Sequence, residues 1–318
     1  MRATGGAGLA LAMVSAATFG TSGAFAASLL DAGWTPGAAV TARVITAALV
    51  LTLPALLQLR GRLAQLRRSA PSILVYGFVA VAGAQLCFFN AIAHMAVGVA
   101  LLLEYSGVLL VVAWLWLRHG HRPRRLTLAG GMLAVVGLVL VLDLAGDHRV
   151  DPIGVLWGLG AAVGLAVYFV LSAGTDEPLP PLVLAWGGLA VGALTLIAAV
   201  AGGVLDVRAP LVDVTLLNSR VSWLVPMLGM SIVAAVVAYI AGVAAARLLG
   251  ARLASFVGLT EVLFAVAFAW LLLGQVPVSV QLVGGVLVVA GIALVRLDEL
   301  RGDTPPRPVR EHEPVSVV

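Results

Sequence analysis

The stretch VALLLEYSGVLLVVAWLWL, from Val99 to Leu117, decides the fold, because it is almost wholly apolar and holds a single carboxylate at Glu104. An apolar helix of about 20 residues crosses the ~30 Å hydrocarbon core of a bilayer, so this stretch predicts a membrane span. Of the 318 residues in the chain, 61% are hydrophobic and 11% are charged, and the mean hydropathy is +1.09. A soluble domain carries about 25% charged residues. The sequence therefore predicts an integral membrane protein that contacts the lipid bilayer.

Ten apolar runs of suitable length follow one another along the chain. They are apolar on every face and rich in glycine and alanine, whereas a membrane β-barrel needs ~10-residue segments of alternating hydrophobicity. We therefore predict an all-α fold with ten transmembrane helices. The predicted spans lie at residues 8–30, 36–58, 71–93, 97–117, 126–143, 153–173, 181–203, 222–246, 252–273 and 278–297.

The first apolar run has a second interpretation. Its end, GAFAAS at residues 23–28, resembles the cleavage site of a secretory signal peptide. A single basic residue, Arg2, precedes the run, and the length of the run suits a span. We therefore predict that this segment is a retained transmembrane helix, with a signal peptide as the alternative.

The arginines predict the orientation. All 19 basic residues are arginine: fifteen lie on one alternate set of connectors and termini, three lie on the other set, and Arg43 lies within a span. Because basic residues are enriched in cytoplasmic loops, we predict a multi-pass protein of the inner cell membrane with cytoplasmic N and C termini. The net charge of +4 then reflects topology and does not indicate a nucleic-acid partner.

An internal repeat relates the two halves of the chain. At an offset of 157 residues, GVALLLEYSGVLL overlays SFVGLTEVLFAVA, which places Glu104 on Glu261. At an offset of 154 residues, AGGMLAVVGLVLVL overlays VGGVLVVAGIALVRL with a shared GG-x₅-G pattern. Each half holds five predicted spans, and an odd number makes the second half enter the membrane from the opposite side. We predict two inverted five-helix repeats, residues 1–143 and 151–297, and a disordered cytoplasmic tail at residues 298–318.

Two glutamates and one arginine lie near the middle of predicted spans. An ionisable group at that depth costs ~3 kcal/mol unless it faces a partner or water, so Glu104 and Glu261 are predicted to face the interior. They serve either substrate recognition or proton handling, or they are structural carboxylates held by neighbouring polar groups. Arg43 lies at a depth similar to that of Glu104. We predict that it pairs with Glu104 or binds a substrate carboxylate, with snorkelling toward the outer interface as the alternative.

Six further polar or aromatic side chains lie within predicted spans. Most are expected to form interhelical hydrogen bonds or interface anchors, and a subset is expected to line a cavity for a small solute. These residues are Gln85, Asn90, Tyr105, Tyr168, Trp186 and Tyr239.

The sequence offers no catalytic or metal-binding cluster. The single cysteine, Cys87, lies in an apolar span, and the five histidines are scattered. The glycine-rich stretches lack the strand–loop–helix context of a nucleotide-binding site. We therefore predict no catalytic residue, no metal, no cofactor and no enzymatic activity, with an integral-membrane enzyme or a scaffold as minor alternatives.

The repeated motifs resemble those of EamA-type transporters in the drug/metabolite transporter superfamily, which contain two EamA repeats. The resemblance covers residues 8–297 and is carried by AIAHMAVGVALLLEYSGVLLVVAWLWL and LAGGMLAVVGLVLVL, then by LASFVGLTEVLFAVAFAWLLL and VGGVLVVAGIALV. The glutamate in LLLEYSG is similar to that of the threonine/homoserine exporter branch. This resemblance implies a secondary transporter that moves a small organic metabolite, an amino acid or a related solute, outward by alternating access.

Several aspects of that function stay open in the sequence. Transport of another metabolite or drug class is the alternative to amino acid transport. A proton is a candidate coupling ion, and a homodimer is a candidate assembly.

Overall fold

The structure is a computed structural model, and nearly all of the residues it describes are helical. It describes residues 2–60, 63–92, 94, 97–120, 124–141, 151–174, 179–217, 219–273 and 276–302. The α-helices are α1 (Arg2–Asp31), α2 (Pro36–Gln58), α3 (Leu63–Val75), α4 (Ala84–Ile92), α5 (Val97–Tyr105), α6 (Gly107–His119), α7 (Arg125–Val141), α8 (Pro152–Ala173), α9 (Pro181–Ala201), α10 (Leu224–Leu228), α11 (Ala238–Gly258), α12 (Thr260–Leu273) and α13 (Ser279–Gly302). Two π-helical segments, Tyr76–Gly83 and Gly229–Val237, join α3 to α4 and α10 to α11.

Eight helical stretches are long and apolar enough to cross a membrane. They are Gly6–Asp31, Pro36–Gln58, Ala64–Ala91, Ala100–Arg118, Pro152–Ala173, Pro181–Ala201, Leu224–Gly258 and Ser279–Asp298. Two shorter apolar helices, Arg125–Val141 and Thr260–Leu272, coincide with the predicted fifth and ninth spans. The predicted boundary between the eighth and ninth spans falls at Gly250, whose φ of 78° breaks the helical path of α11. The membrane-spanning class is thus confirmed, while the count of ten spans stays a prediction.

Local sequence signals explain where several helices begin. Thr35 precedes α2, and its hydroxyl accepts a hydrogen bond from the amide of Ala38 at 3.3 Å. Asp151 caps α8 in the same way through the amide of Ile153 at 3.0 Å. A proline follows each of these caps, and proline suits the first helical position because the amide it lacks has no intrahelical partner there.

Two details differ from the sequence prediction. The connector after α9 contains a short antiparallel hairpin, β1 (Val214–Leu216) with β2 (Ser219–Val221), so the fold is not purely α-helical. This connector packs on the turn between α1 and α2, where Trp34 donates a hydrogen bond to the carbonyl of Pro210 at 2.8 Å. In addition, α13 continues to Gly302, past the predicted end of the last helix, because Asp298 is held in the bundle by Thr127. Residues 303–318 of the predicted tail lie outside the described residues.

The two halves pack against each other reciprocally. Helix α1 packs on α11 and α12, while α8, the corresponding first helix of the second half, packs on α4, α5 and α6. Each π-helical segment likewise contacts the first two helices of the other half. Such exchange of equivalent contacts is the pattern that a two-fold axis produces.

Glycines bring α7 and α13 into backbone contact. A methyl group added at Gly130 would lie 2.6 Å from the carbonyl oxygen of Gly291, and one at Gly137 would lie 2.6 Å from that of Gly284. The reverse additions meet the same partners, at 2.5 Å for Gly291 and 2.6 Å for Gly284. The first glycine of one GG-x₅-G pattern therefore faces the last glycine of the other, and the two equivalent helices run antiparallel.

Apolar side chains cover the outside of the bundle. Leu117, Met132 and Leu156 are 82%, 73% and 71% exposed, respectively. Exposed apolar surface of this extent marks an interaction surface, and on helices of membrane-spanning length the partner is lipid. The polar groups that carry function must therefore be sought inside.

Candidate functional site

The two repeat-related glutamates each lie beside a break in a helix. Glu104 is in the last turn of α5, and the hydroxyl of Ser106 at the break donates to the carbonyl of Leu103 at 2.5 Å. Glu261 is in the first turn of α12, next to Thr260, whose hydroxyl donates to the carbonyl of Val257 at 2.7 Å. Side-chain hydroxyls that bond to backbone carbonyls bend helices. Both carboxylates are thus placed where the backbone path changes.

Arg43 lies in the interior of the bundle. It is 8% exposed, and its guanidinium donates to the hydroxyl of Ser22 at 3.0 Å and to the carbonyl of Ala234 at 2.6 Å. The guanidinium carbon also lies 5.8 Å from the centre of the Phe19 ring, within the range of a cation–π contact. The snorkelling alternative is therefore wrong, because the side chain points into the protein.

The described groups that interact electrostatically with Arg43 are Tyr239 and Glu261, and Glu104 is not among them. Arg43 interacts with the carboxylate of Glu261, which comes from the other half of the chain. The pairing of Arg43 with Glu104 that the sequence suggested is not formed, because the packing of α1, α2 and the second π-helical segment holds the guanidinium at Ser22 and Ala234.

Glu261 and Glu104 differ in their surroundings. The side chain of Glu261 lies within hydrogen-bonding reach of the Tyr105 hydroxyl as well as near Arg43. Glu104 interacts electrostatically with Glu261, which has the same charge, and with Cys87. Both glutamates are partly accessible rather than fully buried. Electrostatic interactions therefore link four predicted residues, which are Arg43, Glu104, Tyr105 and Glu261. Among the described residues, no cation interacts with Glu104.

A row of aromatic rings crosses the centre of the bundle. The Tyr239 ring lies 5.2 Å from Phe19 and 5.7 Å from Tyr168, and Tyr168 lies 5.8 Å from Tyr76, measured between ring centres. The three tyrosines are buried. The row starts at the ring beneath Arg43 and joins helices from both halves, so predicted residues Tyr168 and Tyr239 belong to one cluster with the charged groups.

The Tyr168 hydroxyl is a buried polar group without a hydrogen bond. The side chain is 6% exposed, and its oxygen has no partner of hydrogen-bond geometry. The nearby Ser15 hydroxyl donates instead to the carbonyl of Ala238 at 2.9 Å. A buried polar group left unpaired costs ~1–3 kcal/mol. The Tyr168 oxygen lies against Gly242 and the Ser15 hydroxyl, where a methyl group added at Gly242 would overlap with it.

Three predicted residues lie apart from this cluster or bond elsewhere. The indole of Trp186 donates to the Thr52 hydroxyl at 3.0 Å, which links α9 to α2. The amide of Asn90 donates to the carbonyl of Leu86 in its own helix at 2.7 Å. Gln85 is half-buried in α4. Trp186 thus makes an interhelical hydrogen bond of the expected kind, whereas Asn90 bonds within its own helix.

Several site residues were missed by the sequence analysis. Phe19 and Ser22 stand in the polar interruption TFGTSG of the first apolar run, which was the available signal. Tyr76 opens a π-helical segment, and no periodicity in the sequence marks such a segment. π-Helical turns occur frequently at functional sites, and here they occupy corresponding positions in the two halves.

The described residues contain no group of three or more histidine, cysteine, aspartate or glutamate side chains arranged to hold a metal ion. The chemistry available at the centre is therefore that of one cation, two carboxylates and phenol hydroxyls, which suits recognition of a polar or charged solute.

The chain is similar to known proteins both in sequence and in fold. Residues 6–143 and 152–297 each match the model of the EamA-like transporter family. YdfC of Bacillus subtilis (strain 168), which is named an uncharacterized transporter, is 24% identical over 267 residues that cover 83% of each chain. A protein of known crystal structure shares the fold with a TM-score of 0.74 and 21% identity, covering 93% of this chain and 99% of the other.

Proposed function

Because the chain belongs to the EamA-like transporter family, whose model matches it twice, we propose that it moves a small organic metabolite outward across the inner membrane by alternating access. Membership of this family makes the protein a membrane transporter of small solutes. The substrate proposed from the sequence is an amino acid or a related solute.

The observation that carries the mechanism is the reciprocal packing of the two halves. Equivalent helices contact each other antiparallel through the same glycines, and each first helix packs on later helices of the other half. Two halves related in this way can exchange conformations, so a site between them opens to one face and then to the other. This packing supports the proposal that the repeats are inverted.

The central position of the charged cluster supports solute binding between the halves. Arg43 comes from the first half and Glu261 from the second, and the aromatic row joins both. A solute bound there would contact elements that move relative to each other, which is what coupling of binding to a conformational change requires.

Transport is tested by comparing the metabolites exported by cells with and without the protein, followed by counterflow of the enriched metabolite in proteoliposomes. We expect accumulation of labelled metabolite against preloaded unlabelled metabolite, since a carrier exchanges solute without an external energy source. An enzyme or a scaffold would give no counterflow, and unchanged export together with absent counterflow would refute the proposal.

The inverted topology is tested with a reporter that is active only in the cytoplasm. Fusions after Arg68, Arg125 or Val318 are expected to be active, because the arginine-rich connectors and the C terminus are placed inside. Fusions after Gly33 or Gly146 are expected to be inactive. Activity at Gly146 combined with inactivity at Arg125 would contradict the inversion, because both repeats would then enter the membrane from the same side.

A further inference from the structure

An apolar groove of about 290 Å³ runs along the outside of the bundle between α6 and α7. Leu109 and Val112 line it from α6, and the Phe256 ring of α11 closes its floor beside Gly131. A methyl group added at Gly131 would lie 3.4 Å from that ring. Helix α7 packs mainly on α13, and α6 packs mainly on α8. The groove thus separates two helices that follow each other in the chain.

The lining of the groove is apolar and open to the outside. Leu128, Met132 and Val136 line it from α7, and each of these side chains is more than half exposed. Among the described lining residues, Thr127 has the one hydroxyl, and it donates to the carboxylate of Asp298 at 2.6 Å. The groove therefore offers apolar contacts to a hydrocarbon chain.

The length of the groove matches one leaflet of a bilayer. Its residues on α7 extend from Thr127 to Val136, which is about 14 Å at a rise of about 1.5 Å per residue. Half of the ~30 Å hydrocarbon core is about 15 Å. A helix of another protein, about 10–12 Å across, would fill on the order of 1,000 Å³ over this length, several times the volume of the groove. A single acyl chain therefore fits where a helix does not.

Positive charge is concentrated at one end of the groove. The amide of Leu128 donates to the carbonyl of Arg124 at 3.1 Å, so Arg124 lies one helical turn before a groove residue. Arg125 precedes Leu128 by three residues and lies on the same face of α7. Both arginines are exposed, and the first turn of α7 holds no acidic residue. The partial positive charge of a helix N terminus adds to theirs, so an anionic group is stabilised where the groove ends.

We propose that the groove binds one acyl chain of an anionic phospholipid, whose phosphate is held by Arg124 and Arg125. The end of α7 that carries these arginines is predicted to be cytoplasmic, and basic residues beside membrane helices attract the anionic lipids of that leaflet. A zwitterionic phospholipid supplies the same hydrocarbon chain, but its ammonium group cancels the negative charge. The site lies outside the central charged cluster and does not depend on which solute the protein transports.

Competition between two lipids with identical acyl chains tests the proposal. The purified full chain in detergent is incubated with anionic palmitoyl-oleoyl phosphatidylglycerol and with the corresponding zwitterionic phosphatidylcholine, and bound lipids are counted by native mass spectrometry. We expect the first bound lipid to be phosphatidylglycerol, with an affinity about fivefold or more above that of phosphatidylcholine. Glycerol 3-phosphate, which carries the anionic group without acyl chains, should not displace it.

One pair of variants tests the basic end of the groove. Arg124→Gln combined with Arg125→Gln should abolish the preference for phosphatidylglycerol. Arg60→Gln combined with Arg67→Gln is the matched control, because it makes the same change at exposed arginines of another basic segment, residues 60–68. This control should keep the preference.

A second pair of variants tests the groove itself. Val135 lines the groove, so Val135→Phe should fill part of it and weaken binding of the first phosphatidylglycerol about fivefold or more. Val139 lies one turn further along α7, outside the lining, and Val139→Phe should keep that affinity. Thermal unfolding shows whether each variant is folded, and the surface arginine variants decide the proposal if Val135→Phe is not.

Three results would overturn lipid recognition at this groove. The first is equal affinity for the two lipids, and the second is an equal loss of preference in both arginine pairs, which would indicate a general effect of surface charge. The third is a lipid-free dimer that dissociates in Val135→Phe, which would show that a second copy of the chain covers the groove. Displacement of phosphatidylglycerol by glycerol 3-phosphate would likewise refute the role of the acyl chain.

Discussion

Replacing Glu104 with glutamine is expected to reduce transport by about tenfold or more, because a charge-assisted contact contributes ~1.5–3 kcal/mol. Glutamine keeps the shape of the side chain and removes its charge. The free energy of unfolding should be unchanged or increased, since Glu104 has no favourable partner in the described structure and an ionised group at this depth is costly. Flux of the exported metabolite is measured against pH in proteoliposomes with matched protein amounts, together with thermal unfolding.

The same substitution at the equivalent position should behave differently. Glu261→Gln removes the carboxylate that interacts electrostatically with Arg43 and lies near the Tyr105 hydroxyl, so we expect a loss of ~1–3 kcal/mol in stability in addition to reduced flux. Asp298→Asn is the control for removing a carboxylate outside the site. Wild-type flux in Glu104→Gln accompanied by lowered stability would identify Glu104 as a packing residue and would refute its proposed role.

Gly284→Ala is expected to destabilise the protein by about 1–3 kcal/mol or more, the cost of overpacking a tight interface. The added methyl group would lie 2.6 Å from both the carbonyl oxygen of Gly137 and the amide nitrogen of Val141. Both atoms belong to the backbone of α7, so the clash is relieved only if α7 and α13 move apart. The loss is measured as a lower Tm or a faster rate of unfolding in a fixed detergent.

The adjacent glycine provides the control. A methyl group at Gly285 would lie 3.3 Å from the Cδ2 atom of Leu263, which is the end of a flexible side chain. Gly285→Ala therefore carries the same change in helix propensity without a backbone clash, and its stability should stay close to that of the wild type. Adding Gly137→Ala to Gly284→Ala should cost less than its effect alone, because the two substitutions separate the same contact. Equal stability of the Gly284→Ala and Gly285→Ala variants would contradict close packing of α7 and α13.

The glutamate pair shows how a repeat can be preserved in sequence while its members take different roles. Glu104 and Glu261 occupy equivalent positions, yet Arg43, in the second predicted span, has no charged counterpart in the second span of the other half, because residues 181–203 contain no arginine. A single cation can neutralise one carboxylate of the pair. The two glutamates therefore differ in whether Arg43 interacts with them, and this difference originates in one unrepeated residue.

The sequence by itself determined the membrane class, the positions of the apolar helices, the repeat and the two glutamates. These features are readable because hydropathy over about 20 residues and the spacing of GG-x₅-G are properties of the linear chain. Family membership, confirmed by the match of both halves, rests on the same linear motifs.

Only the tertiary structure decided which groups meet. It placed Arg43 with Ser22 and Ala234 and near Glu261 rather than Glu104, and it formed the aromatic row through Phe19 and Tyr76. The physical reason is that membrane helices are apolar on nearly every face, so hydropathy does not indicate which face contacts which neighbour. That choice depends on close packing at small residues and on hydrogen bonds between distant helices, and both are known only once the helices are assembled.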